Sequence, residues 1–285
     1  MKNVLVTMDF SEHSINALSY GQMLFKESEV TFYLFAAFQL NAPGVIEDEW
    51  GNDWLESEEN GDWDSYFPLE DLEKILKKVK RKNRNERHKF KITYSVNTLE
   101  EGIKEQLTKL DIDLILMGTK GVKGLEQFFL GNKAVTIIHK TQNCPIIVVP
   151  GTYIKTNGLK QVVFSTNFKR PFNLIEVYPL LELLQQWGAV LKIVQLMDEA
   201  YLDDKQKLHK NALVSLLGGI PHFFHKIVFD SSETAAIRDF VKESQSDIIS
   251  LIYHRQNFLY GLLQENVVKR TAFSSEVPIL VLKGI

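Results

Sequence analysis

The chain has 285 residues, of which 45% are hydrophobic and 24% are charged, and its net charge is −3. That is enough apolar sequence for a core in each of two domains, and the near balance of charge argues against nucleic acid or an anionic membrane as partner. The single cysteine, Cys144, has no second thiol in its own chain, and the N-terminus MKNVLVTMDF has too short an apolar run for a signal peptide. We therefore expect a cytoplasmic globular protein.

Short apolar runs rich in Val, Ile and Leu alternate with segments of helical period in the first half of the chain. The predicted strands, in chain order, are VLVTM (4–8), EVTFYLFAAF (29–38), KFKITYSV (89–96), DLILM (113–117) and PIIVV (145–149). Helices are predicted between them, with an N-cap at Ser11, a helix that begins at Thr98 and an amphipathic segment LEDLEKILKKVKRK (69–82). Strands that alternate with helices predict an α/β fold with a parallel, doubly wound sheet.

The same order of segments recurs in the second half of the chain. KQVVFSTNFK (160–169) aligns with KNVLVTMDFS (2–11), DIISLI (247–252) with DLILMG (113–118), and PILVL (278–282) with PIIVV (145–149). This pattern indicates a tandem duplication. The predicted domains are residues 1–150 and 159–285, joined by the short polar linker 151–158.

A glycine-rich stretch, GTKGVKGLEQFFLGNKA (118–134), follows the fourth predicted strand. Ligands of doubly wound domains bind beyond the carboxyl ends of the strands, so the loops after the first and fourth strands are the candidate sites. The sequence contains no GxxxxGK[ST], no GxGxxG after a strand and no GxSxG, which excludes three common motifs. By itself the stretch is compatible with a phosphate-binding loop or with a plain flexible loop.

The spacing of Gly118, Gly121 and Gly131, G-x2-G-x9-G, resembles the nucleotide loop of the universal stress protein family. The start VLVTMDFSEHS and the run CPIIVVP resemble the same family. This resemblance implies two tandem five-stranded sheets of strand order 3-2-1-4-5 that face each other about a pseudo-twofold axis as an intrachain pseudo-dimer, with homodimer formation left open. It implies ATP, AMP or ADP as ligand, with or without Mg²⁺. The nucleotide contacts that it implies are Asp9, Ala37, Met117, Gly118, Gly121, Gly131, Asn132 and Lys133.

Two departures from the family pattern bear on function. Asn132 stands where the family has a Ser or Thr hydroxyl, although its amide can still donate a hydrogen bond. In the second repeat, the positions of Gly118, Gly121, Gly131 and Asp9 are taken by Ile252, Arg255, Glu265 and Asn167. We therefore expect one nucleotide in the first repeat and none in the second.

Two classes of function remain open at this point. The first is a nucleotide-binding stress-response regulator, not an enzyme or at most a slow ATPase, which acts on an unidentified protein client. The second is a tandem scaffold that binds no nucleotide and acts only through protein contacts. The presence of Gly118, Gly121, Gly131 and Asp9, as in the family pattern, favours the first.

Three further segments have a structural and a functional interpretation. The acidic segment 41–68 contains three of the four tryptophans and is interpreted as an insertion that forms a flap or a partner contact. His222 and His225 have no Cys or carboxylate at ligand spacing, so a metal site is not expected. The pair His254 and Arg255 can hold an anion in principle, but an exposed surface pair is the favoured interpretation.

Overall fold

The computed structural model describes residues 1–38, 69–119, 132–151, 153–154, 158–195, 201–227, 233–254 and 276–284. The chain forms two compact units, Met1–Gly118 and Thr119–Ile285. This division differs from the predicted domain limits at 150 and 158, which follow the internal repeat and stay a prediction. The acidic segment 41–68 lies outside the described residues.

The first unit is a parallel sheet flanked by helices. Its elements are β1 (Lys2–Thr7), α1 (Glu12–Leu24), β2 (Val30–Ala37), α2 (Leu69–Lys82), β3 (His88–Ser95), α3 (Leu99–Lys109) and most of β4 (Leu114–Thr119). The strands lie in the order β3-β2-β1-β4, and each pair is parallel. Ser11 and Thr98 accept hydrogen bonds from backbone N–H groups of the first helical turn. This confirms the N-cap predicted at Ser11 and shows that Thr98, the predicted helix start, is the N-cap of α3.

The second unit contains the last two elements of the first repeat and the whole second repeat. Its elements are α4 (Asn132–Lys140), β5 (Ile146–Pro150), β6 (Gln161–Thr166), α5 (Leu174–Trp187), β7 (Val190–Gln195), α6 (Asp204–Leu217), β8 (His222–Lys226), α7 (Glu233–Glu243), β9 (Ile248–Tyr253) and β10 (Ile279–Lys283). The strands of the second repeat follow the order β8-β7-β6-β9-β10, which is 3-2-1-4-5. The predicted α/β fold and its doubly wound strand order are therefore confirmed.

One strand pairing departs from the expectation of sheets that are parallel throughout. In the second unit β5 pairs antiparallel with β10, with Val148 opposite Ile279 and Ile146 opposite Val281. Both strands are short, apolar and buried along their whole length. Each is the last strand of its repeat, so each would otherwise expose a row of unpaired backbone groups, and their pairing satisfies these groups.

The two repeats use the same device to fix the start of their first strand. In the first unit the Asp113 carboxylate accepts the Asn3 N–H at 2.7 Å. In the second unit the Asp247 carboxylate accepts the N–H groups of Lys160 at 2.5 Å and Gln161 at 2.9 Å. Because both aspartates directly precede the fourth strand of their repeat, these equivalent bonds support the tandem duplication in three dimensions.

A lysine is buried in the core of the second unit, at the end of β10. The Lys283 ammonium donates to the carbonyl oxygen of Ile138 at 2.5 Å and lies 5.0 Å from the centre of the Tyr253 ring. The Tyr253 hydroxyl is hydrogen-bonded to Nδ1 of His139. Burial lowers the pKa of Lys283 to about 7, while the nearby Cys144 acts in the opposite direction.

A helix that crosses a bilayer needs about 20 consecutive, mostly apolar residues. No helix among the described residues is long and apolar enough to cross a bilayer.

Candidate functional site

The connection between β1 and α1 is a tight turn built around Asp9. Oδ1 of Asp9 accepts the Ser11 N–H at 3.1 Å and the Ser11 hydroxyl at 2.5 Å. Phe10, between them, has a φ of 59°, in the left-handed region. An aspartate that bonds the backbone two residues on stabilises such a turn, and Ser11 then caps α1. Asp9 is thus held at the carboxyl end of β1, the strand between β2 and β4.

Gly118, near the end of β4, is in close contact with the first turn of α1. A Cβ atom at this position would lie 2.3 Å from the carbonyl oxygen of His13 and 3.0 Å from the Ser14 nitrogen. The φ of Gly118 is not in the left-handed region. The glycine is therefore needed because two backbones approach closely, and this approach brings the start of α1 against the end of β4.

Two other predicted contacts lie at the same edge of the first unit. Ala37 is the last residue of β2 and is 7% exposed, whereas Met117 in β4 is fully buried. Asp9 is also 7% exposed. The structure therefore brings Asp9, Ala37, Met117 and Gly118 to the carboxyl ends of three adjacent strands, where the strand order reverses and ligands of this fold class bind.

The remaining predicted contacts fall elsewhere. Gly121 and Gly131 lie outside the described residues. Asn132 is the first residue of α4, and Lys133 lies in the first turn of that helix, partly buried, in the second unit. The predicted role of the glycine loop therefore stays a prediction.

One residue at this edge was not predicted. Nδ1 of His13 is buried and has no hydrogen-bond partner among the described residues. His13 lies in the first turn of α1, the turn that contacts Gly118. The sequence gives no motif for it, and only its position four residues after Asp9 places it near the carboxyl end of β1.

Asp9 can offer a hydrogen-bond acceptor to a ligand at this edge. Asp9 uses Oδ1 within its own turn, and the structure gives its Oδ2 no hydrogen bond among the described residues, so Oδ2 can accept a ligand hydroxyl. No group of three or more His, Cys, Asp or Glu residues that could hold a metal ion occurs in the described part of the chain.

The second repeat has the same turn after its first strand, but different residues stand at the positions of Asp9 and Gly118. Oδ1 of Asn167 accepts the Lys169 N–H at 3.1 Å, and Phe168 has a φ of 56°, matching Asp9 and Phe10. The position of Gly118 is occupied by Ile252, in β9. Arg255 and Glu265, the other two departures, lie outside the described residues.

Comparison with known proteins gives consistent results. A family model described as the universal stress protein family matches residues 1–150. The universal stress protein MJ0531 of Methanocaldococcus jannaschii is 29% identical over 150 residues, which are 52% of this chain and 81% of that protein.

Two solved structures share the fold over both repeats. A universal stress protein from Archaeoglobus fulgidus has a TM-score of 0.67 at 18% identity, covering 99% of this chain and 98% of its own. The structure of a putative universal stress protein from Pseudomonas aeruginosa has a TM-score of 0.62 at 10% identity, and the match covers 99% of this chain and 93% of that one. At these identities the similarity shows the fold.

Proposed function

The chain belongs to the universal stress protein family, and from this premise we propose that its first repeat binds one adenine nucleotide, ATP or else AMP or ADP. Nucleotide occupancy would change the shape or the partner choice of a stress-response regulator in the cytoplasm. The partner is a protein client whose identity the sequence does not give.

One observation carries this proposal. The Asp9 turn and Gly118 both lie at the carboxyl edge of the first unit, where β1 and β4 are neighbours and the strand order reverses. Oδ2 of Asp9 is suited to accept a hydrogen bond from a ribose hydroxyl or from an adenine amino group. The loop that starts at Gly118 has the glycine spacing of a phosphate-binding loop, with backbone N–H groups as the proposed phosphate ligands.

The proposed role is regulatory rather than catalytic. Backbone N–H groups stabilise phosphate charge but do not activate a water molecule. We therefore propose that the protein is not an enzyme, and that any ATP hydrolysis is slow. Calorimetric titration with ATP in the presence and in the absence of Mg²⁺ decides whether the metal accompanies the nucleotide.

Calorimetric titration of the full-length protein with ATP tests the proposal. We expect one nucleotide per chain, and at an ATP concentration of ~100 times the dissociation constant the protein should be stabilised by about 2.7 kcal/mol. Gly131→Glu should remove both signals, because it places in the first repeat the carboxylate that the second repeat has at Glu265. Gly219→Glu is the matched control, since a Cβ at residue 219 meets no atom within 4 Å.

The outcomes separate the two classes of function. Two sites per chain, or binding that survives Gly131→Glu, would contradict the assignment of the phosphates to this loop. Absence of binding of ATP, ADP and AMP would favour the scaffold that acts only through protein contacts.

A further inference from the structure

A pocket in the second unit has no part in the proposed nucleotide site. It lies at the carboxyl ends of β6 and β9 and has a volume of about 50 Å³. Its polar lining comes from Ser165, Thr166, Asn167, Arg170 and His254, and its other walls are apolar.

The second repeat builds part of this pocket from a connection that the first repeat lacks. Seven residues, 167–173, separate β6 from α5, whereas four residues, 8–11, separate β1 from α1. The longer connection supplies Arg170, Pro171 and Phe172 to the pocket. The ring of Phe172 lies 6.0 Å from that of Phe164 and 6.2 Å from that of Phe168, centre to centre. The pocket therefore lies at the point equivalent to the first-repeat site, with Asn167 at the position of Asp9 and Ile252 at that of Gly118. The longer connection gives it a lining that the first repeat lacks.

The size of the pocket limits its ligand. A buried water needs roughly 10–15 Å³ of such volume, so the pocket has room for roughly three to five waters. Sites for drug-sized ligands have volumes of about 300–1,000 Å³. Among the described residues, the space suits an ion of a few heavy atoms and is too small to enclose a nucleotide.

The polar groups of the lining are set up as donors. The Thr166 hydroxyl oxygen accepts the Phe168 N–H at 3.1 Å, and Oδ1 of Asn167 accepts the Lys169 N–H, so the O–H and the Nδ2 amide remain for donation. Ser165 is 7% exposed, and its hydroxyl has no hydrogen-bond partner among the described residues. A buried hydroxyl without a partner is unfavourable, and a bound acceptor would satisfy it.

Arg170 brings a positive charge to the lining, which favours an anion as the neutral hydroxyl and amide donors do. Arg170 contributes a guanidinium, and no carboxylate occurs among the described residues that line the pocket. Burial lowers the pKa of His254, with Glu176 acting to raise it and Arg170 to lower it. The ring is therefore neutral near pH 7 and can offer one N–H. Guanidinium groups bind oxyanions through paired hydrogen bonds.

We propose that this pocket binds one small oxyanion, an inorganic phosphate or a short carboxylate, independently of the nucleotide site in the first repeat. The anion accepts from Arg170, from the Ser165 and Thr166 hydroxyls and from the Asn167 amide.

Titration of the full-length protein by calorimetry tests this, with sodium phosphate in one arm and sodium acetate in the other, at constant ionic strength. We expect one saturable site for one of the two anions, and the arm that binds identifies the group. Arg170→Gln should weaken the affinity at least about tenfold. Arg238→Gln is the control, because it also removes one positive charge of the second unit but does not line the pocket.

Two further variants make the result decisive. Ser165→Ala should lower the affinity for the anion about threefold or more without lowering the melting temperature of the free protein. The Ser165 hydroxyl has no hydrogen-bond partner among the described residues, so its removal breaks no bond. This variant decides the matter if Arg170→Gln does not fold. Gly131→Glu should bind the anion as the wild type does, which separates this pocket from the first-repeat loop.

Three results would overturn the proposal: binding of neither anion, wild-type affinity in Arg170→Gln and Ser165→Ala, or loss of the anion in Gly131→Glu. Failure of ATP to bind leaves this test unchanged, so the two proposals fail separately.

Discussion

The backbone of His13 lies where a side chain at residue 118 would have to be, with its carbonyl oxygen 2.3 Å from the Cβ position of Gly118. Neither group can move cheaply, because His13 belongs to the first turn of α1 and Gly118 to the buried strand β4. The contact fixes how closely α1 approaches the end of β4.

The first prediction follows from this contact. Gly118→Ala should lower the free energy of unfolding by roughly 1–3 kcal/mol, because the added methyl group overlaps backbone atoms in a packed region. Gly219→Ala should change it by less than about 1 kcal/mol, since that position is open. Urea denaturation monitored by circular dichroism measures both. Equal stabilities of the two variants would mean that the start of α1 yields freely.

The second prediction concerns the charge of Asp9. Asp9→Asn should retain the turn, because Asn167 makes the equivalent Oδ1 bond in the second repeat. It should weaken ATP binding by about tenfold or more, since a hydrogen bond to a charged group is worth roughly 1.5–3 kcal/mol. Calorimetric titration beside the exposed control Asp111→Asn gives the comparison. Unchanged affinity would remove Asp9 from the site.

The third prediction is a pH dependence set by Lys283. Its folded-state pKa of about 7 lies below the ordinary value of 10.5. As the pH falls from about 10.5 to 7, the unfolded chain takes up a proton that the folded chain does not, so stability falls over this range and levels off below 7. Lys283→Met should flatten that slope and raise stability at pH 7 by an amount on the order of 2 kcal/mol.

Urea denaturation at several pH values between 6 and 10 measures this slope. The exposed Lys205→Met serves as the control and should leave it unchanged. A wild-type slope in Lys283→Met would show that Lys283 carries its charge in the folded protein across the whole range.

The fourth prediction compares the two aspartates that hold the first strands. Asp247 is 7% exposed and accepts two N–H groups, whereas Asp113 is exposed and accepts one. Asp247→Ala should therefore cost about 2 kcal/mol or more, and Asp113→Ala about 1 kcal/mol or less. Thermal unfolding followed by circular dichroism ranks them. The reverse ranking would contradict the importance of burial for these bonds.

Local signals explain which parts of the fold were predictable. The limits of α2, the cap at Ser11 and the helix start at Thr98 were predicted because amphipathic periodicity and capping side chains act over a few residues. The start of α5, capped by Asn173, was not predicted, because the repeat was recognised from its strands alone. The antiparallel pairing of β5 with β10 joins residues more than 130 positions apart, which no local pattern records.

The sequence predicted where the candidate site lies, but it did not predict why glycine is required at residue 118. Asp9 and Gly118 were identified from their spacing after predicted strands, and both lie at the expected edge. The glycine requirement at 118 was attributed to phosphate approach, whereas the described contact that requires it is the backbone of His13. A sequence indicates where glycine stands, and only coordinates identify the atoms that exclude a side chain.

The pairing of β5 with β10 also limits how this protein can be divided. A gene cut in the linker 151–158 would release a second-repeat fragment whose β10 keeps β9 but has lost β5. It would also leave β5 (Ile146–Pro150) without β10. Apolar strands with open edges recruit other chains, so such halves should aggregate or reassemble with each other when expressed together. One sequence repeat is therefore shorter than the part of the chain that we expect to fold without aggregating.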